Sequence, residues 1–166
     1  MAARNTPATL LLTKMGVEFT AHEYEVDSRE GSYGRAVAAA LCIPPASLFK
    51  TLIAEVDARP QVAIVPTDRQ LSLKALAAAA GGKRAKMADF VVAERLTGYI
   101  RGGISPFGQK RAVPIFVDAS IEDHARVYVS GGRRGLQVEL APRELIDVLS
   151  ATVVAQLGVL EVDAGS

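Results

Sequence analysis

The chain has 166 residues, of which 49% are apolar and 22% charged, and a net charge of +1; this fits one globular domain with a single sizeable core. So small a charge excludes a global pull toward nucleic acid and leaves only local clusters, at Lys83-Arg84-Ala85-Lys86, Lys110-Arg111 and Arg133-Arg134. Cys42, the only cysteine, excludes an intrachain disulfide framework and a multi-cysteine zinc site, and no apolar run approaches the roughly 18 residues of a membrane span.

The opening residues, through Thr6-Pro7, are too short and polar to form a secretory signal, so a cytoplasmic location is expected. Thr6-Pro7 and Gly16 bracket a short helix, with proline in its first turn and glycine past its end. Residues 17–26 alternate as a strand carrying His22 and Tyr24. A polar turn over 27–31 leads into a helix over 32–41, which Pro44-Pro45 ends. Cys42 falls at that helix end among apolar neighbours and is expected in the core.

The next strand, Leu48-Phe49-Lys50-Thr51-Leu52-Ile53-Ala54, places Lys50 on the face of Leu48, Leu52 and Ala54. An ammonium there must pair, reach water at a sheet edge or meet an anionic ligand. Asp57-Ala58-Arg59-Pro60 predicts a hairpin into a strand over 61–65. Ser72 caps a helix over 73–80 that ends at Gly81-Gly82, and Asp89 opens another that ends at Gly98. Strands follow over 113–118, 126–130 and 136–140, then a helix from Pro142 and a last strand at Val153-Val154. Short helices interleaved with hairpins favour a mixed or antiparallel sheet over a doubly wound nucleotide fold. One domain is expected over 1–162, with a short tail at 163–166.

Gly98-Tyr99-Ile100-Arg101-Gly102-Gly103-Ile104-Ser105-Pro106-Phe107-Gly108-Gln109-Lys110 holds backbone in special conformations. It is not a phosphate loop, because Gln109 stands where lysine is needed and no Ser or Thr follows Lys110. The glycine pattern of dinucleotide folds is also absent. The segment is either an oxyanion or carbonyl cradle built from backbone N–H groups or a tight helix-to-strand connection. Ser130-Gly131-Gly132-Arg133-Arg134-Gly135 reads as a hairpin, or as a pocket edge for an RNA end. His22 and His124 have neither metal spacing nor a catalytic partner, so both are expected to be structural, and no Ser or Cys nucleophile is paired with a base. Any enzyme here works with backbone donors and one lysine.

Three segments in order, Phe49-Lys50-Thr51-Leu52, the 98–108 loop and Val129-Ser130-Gly131-Gly132-Arg133-Arg134-Gly135-Leu136, resemble the YbaK family. These are free-standing aminoacyl-tRNA deacylases related to the editing domain of bacterial prolyl-tRNA synthetase. The resemblance spans nearly the whole chain. It implies an α+β (mixed α/β) fold with a curved, barrel-like mixed sheet surrounded by helices. It also implies trans-editing hydrolysis of mischarged aminoacyl-tRNA, above all Cys-tRNA(Pro), without cofactor or metal.

Carried over by residue, the resemblance makes Lys50, Gly102 and Gly103 catalytic. Tyr24, Tyr33, Thr51, Ile104, Ser105, Pro106, Ser130 and Gly131 become substrate-binding. The partners it implies are the aminoacyl-tRNA acceptor end and prolyl-tRNA synthetase, with no membrane. Two alternatives stay open: a deacylase for another small amino acid such as alanine, and a non-catalytic module that binds aminoacyl-tRNA or a synthetase.

Overall fold

In the computed structural model, which describes residues 5–26 and 33–160, local sequence signals start and stop the first elements. Helix α1 (Pro7–Lys14) begins at a reciprocal capping box: Thr6 Oγ1 accepts from Thr9 N, and Thr9 Oγ1 accepts from Thr6 N. Strand β1 (Thr20–Glu23) is shorter than the expected 17–26, since Val17 already packs into the core ahead of it. Helix α2 (Tyr33–Leu41) follows; its expected start at Ser32, the 27–31 turn and the 163–166 tail lie outside the described residues.

Cys42 is exposed, contrary to the expectation of a core position. It ends α2 in the left-handed region, φ 58°, while its N–H donates to Ala39 O and the Ile43 N–H donates to Ala38 O. That is the C-terminal capping position glycine usually fills, and it turns the side chain out of the helix's buried stripe.

Strands β2 (Phe49–Val56) and β3 (Arg59–Pro66) form the expected hairpin. Its two turn residues, Asp57 and Ala58, both have positive φ (49° and 67°), the geometry that matches strand twist. Without glycine this conformation is strained; the Asp57 carboxylate helps hold it by accepting from the Lys83 and Arg84 N–H groups, each at 3.0 Å. Those two bonds also steer the following chain into an edge strand, β5 (Ala85–Met87), beside β2. Before it come β4 (Gln70–Leu71) and α3 (Leu73–Ala79), which Ser72 caps; after it comes α4 (Phe90–Thr97), capped by Asp89 and stopped by Gly98 at φ 81°.

The remaining elements are β6 (Ile115–Asp118), β7 (Val127–Arg133), β8 (Leu136–Leu140), α5 (Pro142–Leu149), β9 (Thr152–Val154) and β10 (Gly158–Val159). The largest sheet runs β5-β2-β3-β6-β9, with β3/β6 and β6/β9 parallel and the other pairs antiparallel. A second sheet runs β1-β8-β7, and β10 pairs with β4. Alternation buries β2 on both faces. Phe49 and Ile53 enter the main core with Val62, Ile64 and Val117, whereas Ala54 and Val56 enter a second core under α3 with Ala63, Val65 and Leu76. Leu48 meets Val37 and Ala38 of α2 in a third.

The fold is the expected mixed α+β, with a curved sheet, but the barrel does not close. The two larger sheets touch through one parallel bridge, Leu48 to Tyr128, after which β7 breaks register between Ser130 and Arg133. A bulge bends its strand, and beyond that bridge no hydrogen-bonded ladder joins β7 to β2 among the described residues, which leaves a seam between them. The hairpin expected at 130–135 therefore turns at Arg134-Gly135, while Gly131 and Gly132 lie in the bulge. Among the described residues no helix is long and apolar enough to cross a membrane.

Candidate active site

A cavity of about 200 Å³ fills the seam. Phe49, Lys50, Thr51 and Leu52 line it from the part of β2 that β5 does not cover. Helix α2 roofs it with Tyr33 and Val37, and can lie close because a Cβ on Gly34 would already be 3.0 Å from Thr67 Cβ. Gly102 and Ile104 approach from the loop after α4, and Ser130 and Gln137 from β7 and β8.

Lys50 is partly buried, and burial lowers its pKa from the ordinary lysine value, while the nearby Asp68 charge acts in the opposite sense. Its ammonium has no ion-pair partner among the described residues. Among the described residues Asp68 therefore acts on this cation only at longer range than a salt bridge, and the ammonium can meet water or a ligand at the seam. Among the described residues, two buried oxygens of the lining, Thr51 Oγ1 and Gln137 Oε1, and Oδ1 of the nearby Asp68 also lack hydrogen-bond partners.

The glycine loop is tied down by its own side chains. Tyr99 Oη donates to Phe107 O, Phe107 N–H donates to Ser105 Oγ at 3.2 Å, and Gln109 Nε2 donates to Ser105 O at 2.9 Å. Burial raises the Tyr99 pKa to about 12, so this donor stays protonated at neutral pH. Gly103 N–H donates to Ile100 O at 2.9 Å, and a Cβ on Gly103 would stand 2.6 Å from Arg133 Cα. The expectation that both glycines offer N–H groups to a substrate is therefore corrected: Gly103 is where the loop presses on β7. Gly102, at φ 89°, lines the cavity, and its N–H has no acceptor among the described residues.

Tyr33 lies under the Arg134 guanidinium, 4.3 Å from ring centroid to Cζ, and its hydroxyl is 3.3 Å from Tyr24 Oη. Burial, with help from that hydrogen bond, pushes the Tyr33 pKa up, so it remains a phenol. Gln137 Nε2 donates to Tyr24 Oη at 3.0 Å, which orients the amide. Tyr24 thus reaches the cavity only through Tyr33 and Gln137.

Of the sequence-derived residues, Lys50, Thr51, Tyr33, Gly102, Ile104 and Ser130 line the cavity. Ser105 and Pro106 are buried behind it, Ser105 Oγ being used by the loop's own backbone. Gly131 packs against Leu136 and accepts from Thr6 Oγ1. Sequence reasoning missed Gln137, Phe90 and Arg101. Gln137 alternates with Leu136 and Val138 as any strand polar residue does, and Phe90 follows a cap residue, so neither carried a local signal. Arg101 sat in view inside the loop.

His22 and His124 lie elsewhere: His22 Nε2 is 2.7 Å from Glu139 Oε1, and His124 presents its ring edge-on to Phe49. A broader cleft of about 930 Å³ lies at the far end of the β2–β3 hairpin, beside Asp57, Arg59 and Gln61. There the Asp57 carboxylate is already engaged by backbone, and none of the three sequence segments reaches its walls.

A family model described as the aminoacyl-tRNA editing domain matches residues 32–148. An Enterococcus faecalis (strain ATCC 700802 / V583) protein named "Putative Cys-tRNA(Pro)/Cys-tRNA(Cys) deacylase EbsC" is 38% identical over 128 residues, covering 76% of this chain and 78% of the relative. A solved structure described as "Crystal structure of hypothetical protein APE2540" is 25% identical with a TM-score of 0.81, over 92% of this chain and 99% of that one. Another, "Crystal structure of a putative trans-editing enzyme for prolyl tRNA synthetase", shares the fold at 20% identity and a TM-score of 0.79, over 92% and 96% of the two chains.

Proposed function

The chain belongs to the aminoacyl-tRNA editing domain family, and from that premise we propose that it removes cysteine from tRNA(Pro) in trans, with the seam cavity taking the aminoacylated 3′ end. The observation that carries this is one small space lined by a half-buried lysine with no salt bridge, and by a glycine whose N–H has no acceptor, among the described residues. At about 200 Å³ it is smaller than the ~300–1,000 Å³ of drug-sized sites, which suits a small aminoacyl group. Such a site answers a physical need, because a synthetic pocket separates side chains of similar size by only a few kcal/mol.

In the proposed geometry the ester carbonyl oxygen meets the Gly102 N–H, and the Lys50 ammonium faces the charge that develops on it. Lys50 acts as an electrostatic anchor rather than a base. Among the described residues neither histidine lines the cavity to serve as base for the Thr51, Thr67 and Ser130 hydroxyls there, nor does Cys42 to serve as thiol nucleophile, and in this proposal the attacking group belongs to the substrate or to water. In the substrate-assisted route the cysteine sulfur bonds to its own carbonyl carbon, the carbon–ribose oxygen bond breaks, and the thiol proton ends on the ribose oxygen. Water then opens the thiolactone to free cysteine. The unpartnered Thr51 Oγ1 and Gln137 Oε1 suit the N–H donors of the α-ammonium, which would relieve two buried acceptors at once.

Recruitment through prolyl-tRNA synthetase in the cytoplasm completes the proposal, since a net charge of +1 gives little unspecific attraction for a polyanion. The test is a deacylation panel. Cys-tRNA(Pro) should be hydrolysed, with Ser- and Ala-tRNA(Pro) far poorer substrates. Equal rates on all three would replace thiol attack with water attack, and binding without turnover would make the chain a carrier.

A further inference from the structure

At the cavity mouth stands an aromatic platform that the ester chemistry leaves unused. Phe90, the first residue of α4, is 51% exposed yet lines the cavity, and the Arg101 guanidinium carbon lies 3.9 Å from its ring centroid. Both halves are fixed from below: Asp89 Oδ1 accepts from Val92 N–H at the helix start, and Arg101 N–H donates to Glu94 Oε2 at 2.8 Å. Ile100 and Val91, 76% and 65% exposed, extend the apolar surface outward.

We propose that Phe90 and Arg101 form a stacking platform for the terminal base of the tRNA 3′ end. This rests on the seam cavity as the aminoacyl site. If the ester enters that cavity, the ribose carrying it must lie at the mouth, and its base lies one glycosidic bond away. Bases stack on aromatic faces whatever their sequence, and a guanidinium adds cation–π contact and charge for the adjoining phosphate. An apolar protein partner would have no use for a guanidinium seated on the ring, so charge and ring together favour a nucleotide.

The test uses uncharged microhelices ending in CCA or in CC as competitive inhibitors of Cys-tRNA(Pro) hydrolysis. The wild type should bind the CCA form about 5- to 100-fold more tightly, the range expected for one stacked base. Phe90→Leu keeps an apolar side chain but no ring; it should lose that discrimination and raise KM by a similar factor, with kcat little changed. Phe90→Trp should restore both, which a merely structural role would not do. Equal inhibition by the two microhelices in the wild type overturns the platform, as does discrimination retained by Phe90→Leu. A wild type that hydrolyses no aminoacyl-tRNA and binds neither microhelix would instead overturn the assignment of the cavity itself.

Discussion

Gly103→Ala tests how the loop after α4 is held. An added Cβ would stand 2.6 Å from Arg133 Cα, 2.8 Å from Arg133 C and 2.9 Å from Arg134 N. All three are backbone atoms, so no side chain can swing aside, and ordinary contact requires the loop and β7 to part by roughly an ångström. Overpacking of this kind costs about 1–3 kcal/mol, which for a chain of this size lowers Tm by about 2–12 °C. Two other glycines separate the causes. Gly81, at φ 74° with nothing within 4 Å, bears only the left-handed backbone penalty of about 1–2 kcal/mol when changed to alanine. Gly102→Ala bears that penalty and meets Arg134 Nη1 at 2.8 Å, a flexible group that can yield. Urea and thermal unfolding of the three variants give the comparison. A Gly103→Ala protein as stable as wild type would refute the contact with β7 and reopen Gly103 as a substrate donor.

Lys50→Met should lower kcat/KM on Cys-tRNA(Pro) by about 10²–10³-fold, as for loss of one oxyanion donor, while Tm holds or rises at neutral pH. The sign follows from burial, which lowers the Lys50 pKa in the fold: the unfolded chain binds the extra proton, so the stability penalty is full below the folded pKa and disappears as pH rises toward the ordinary lysine value. For the same reason blank-corrected activity should fall as pH rises through that lowered pKa, and a rise there would make Lys50 a base. Gln137→Leu should raise KM for Cys-tRNA by about 5- to 100-fold, the cost of leaving a donor unmet, with no added effect on N-acetyl-Cys-tRNA; equal losses on both would refute the ammonium contact. Away from the site, Glu139 joins His22 at 2.7 Å and Arg126 at 3.2 Å. Burial raises the Glu139 pKa, but the hydrogen bonds from His22 and Arg126 outweigh it and leave the value below the ordinary one. Glu139→Gln should therefore cost no more than about 1 kcal/mol at pH 7, an effect fully present above the ordinary glutamate pKa and lost as pH falls through the lowered one; a constant difference down to pH 2 would exclude the ion pairs as its source.

Local grammar made most elements legible: the Thr6, Ser72 and Asp89 caps, the Gly98 stop and the Asp57-Ala58 turn act within a few residues of where they are written. What was not legible depends on partners far along the chain. Strand β5, Ala85-Lys86-Met87, is too short to show an alternation, and it forms because the edge of β2 at Ala54–Val56 needs pairing and Asp57 holds the chain beside it. The Cys42 expectation failed for a different reason: burial was inferred from neighbours, whereas a left-handed helix end decides where the side chain points.

The site was half legible for a physical reason that also explains where it lies. Sequence segments identify residues whose chemistry is unusual for their element, such as Lys50 on a buried face, but the cavity arises from a failure of closure. The cavity lies along the β2 edge from Phe49 to Leu52, and β7 breaks register with β8 at Ser130, which lines the same space. Gly131 and Gly132 lie in the bulge there: a Cβ on Gly131 would meet Leu136 Cγ at 2.6 Å, and one on Gly132 would meet Thr6 Cβ and Tyr99 Cε1 at 3.0 Å. These glycines do not line the cavity; they pack β7 closely against its neighbours. The same logic places Gly103, whose contact with Arg133 seats the loop that carries Gly102 against β7. The two larger sheets supply the walls, and the seam between them leaves a space that Lys50 and Gly102 both line, which is why the proposal puts the ester there.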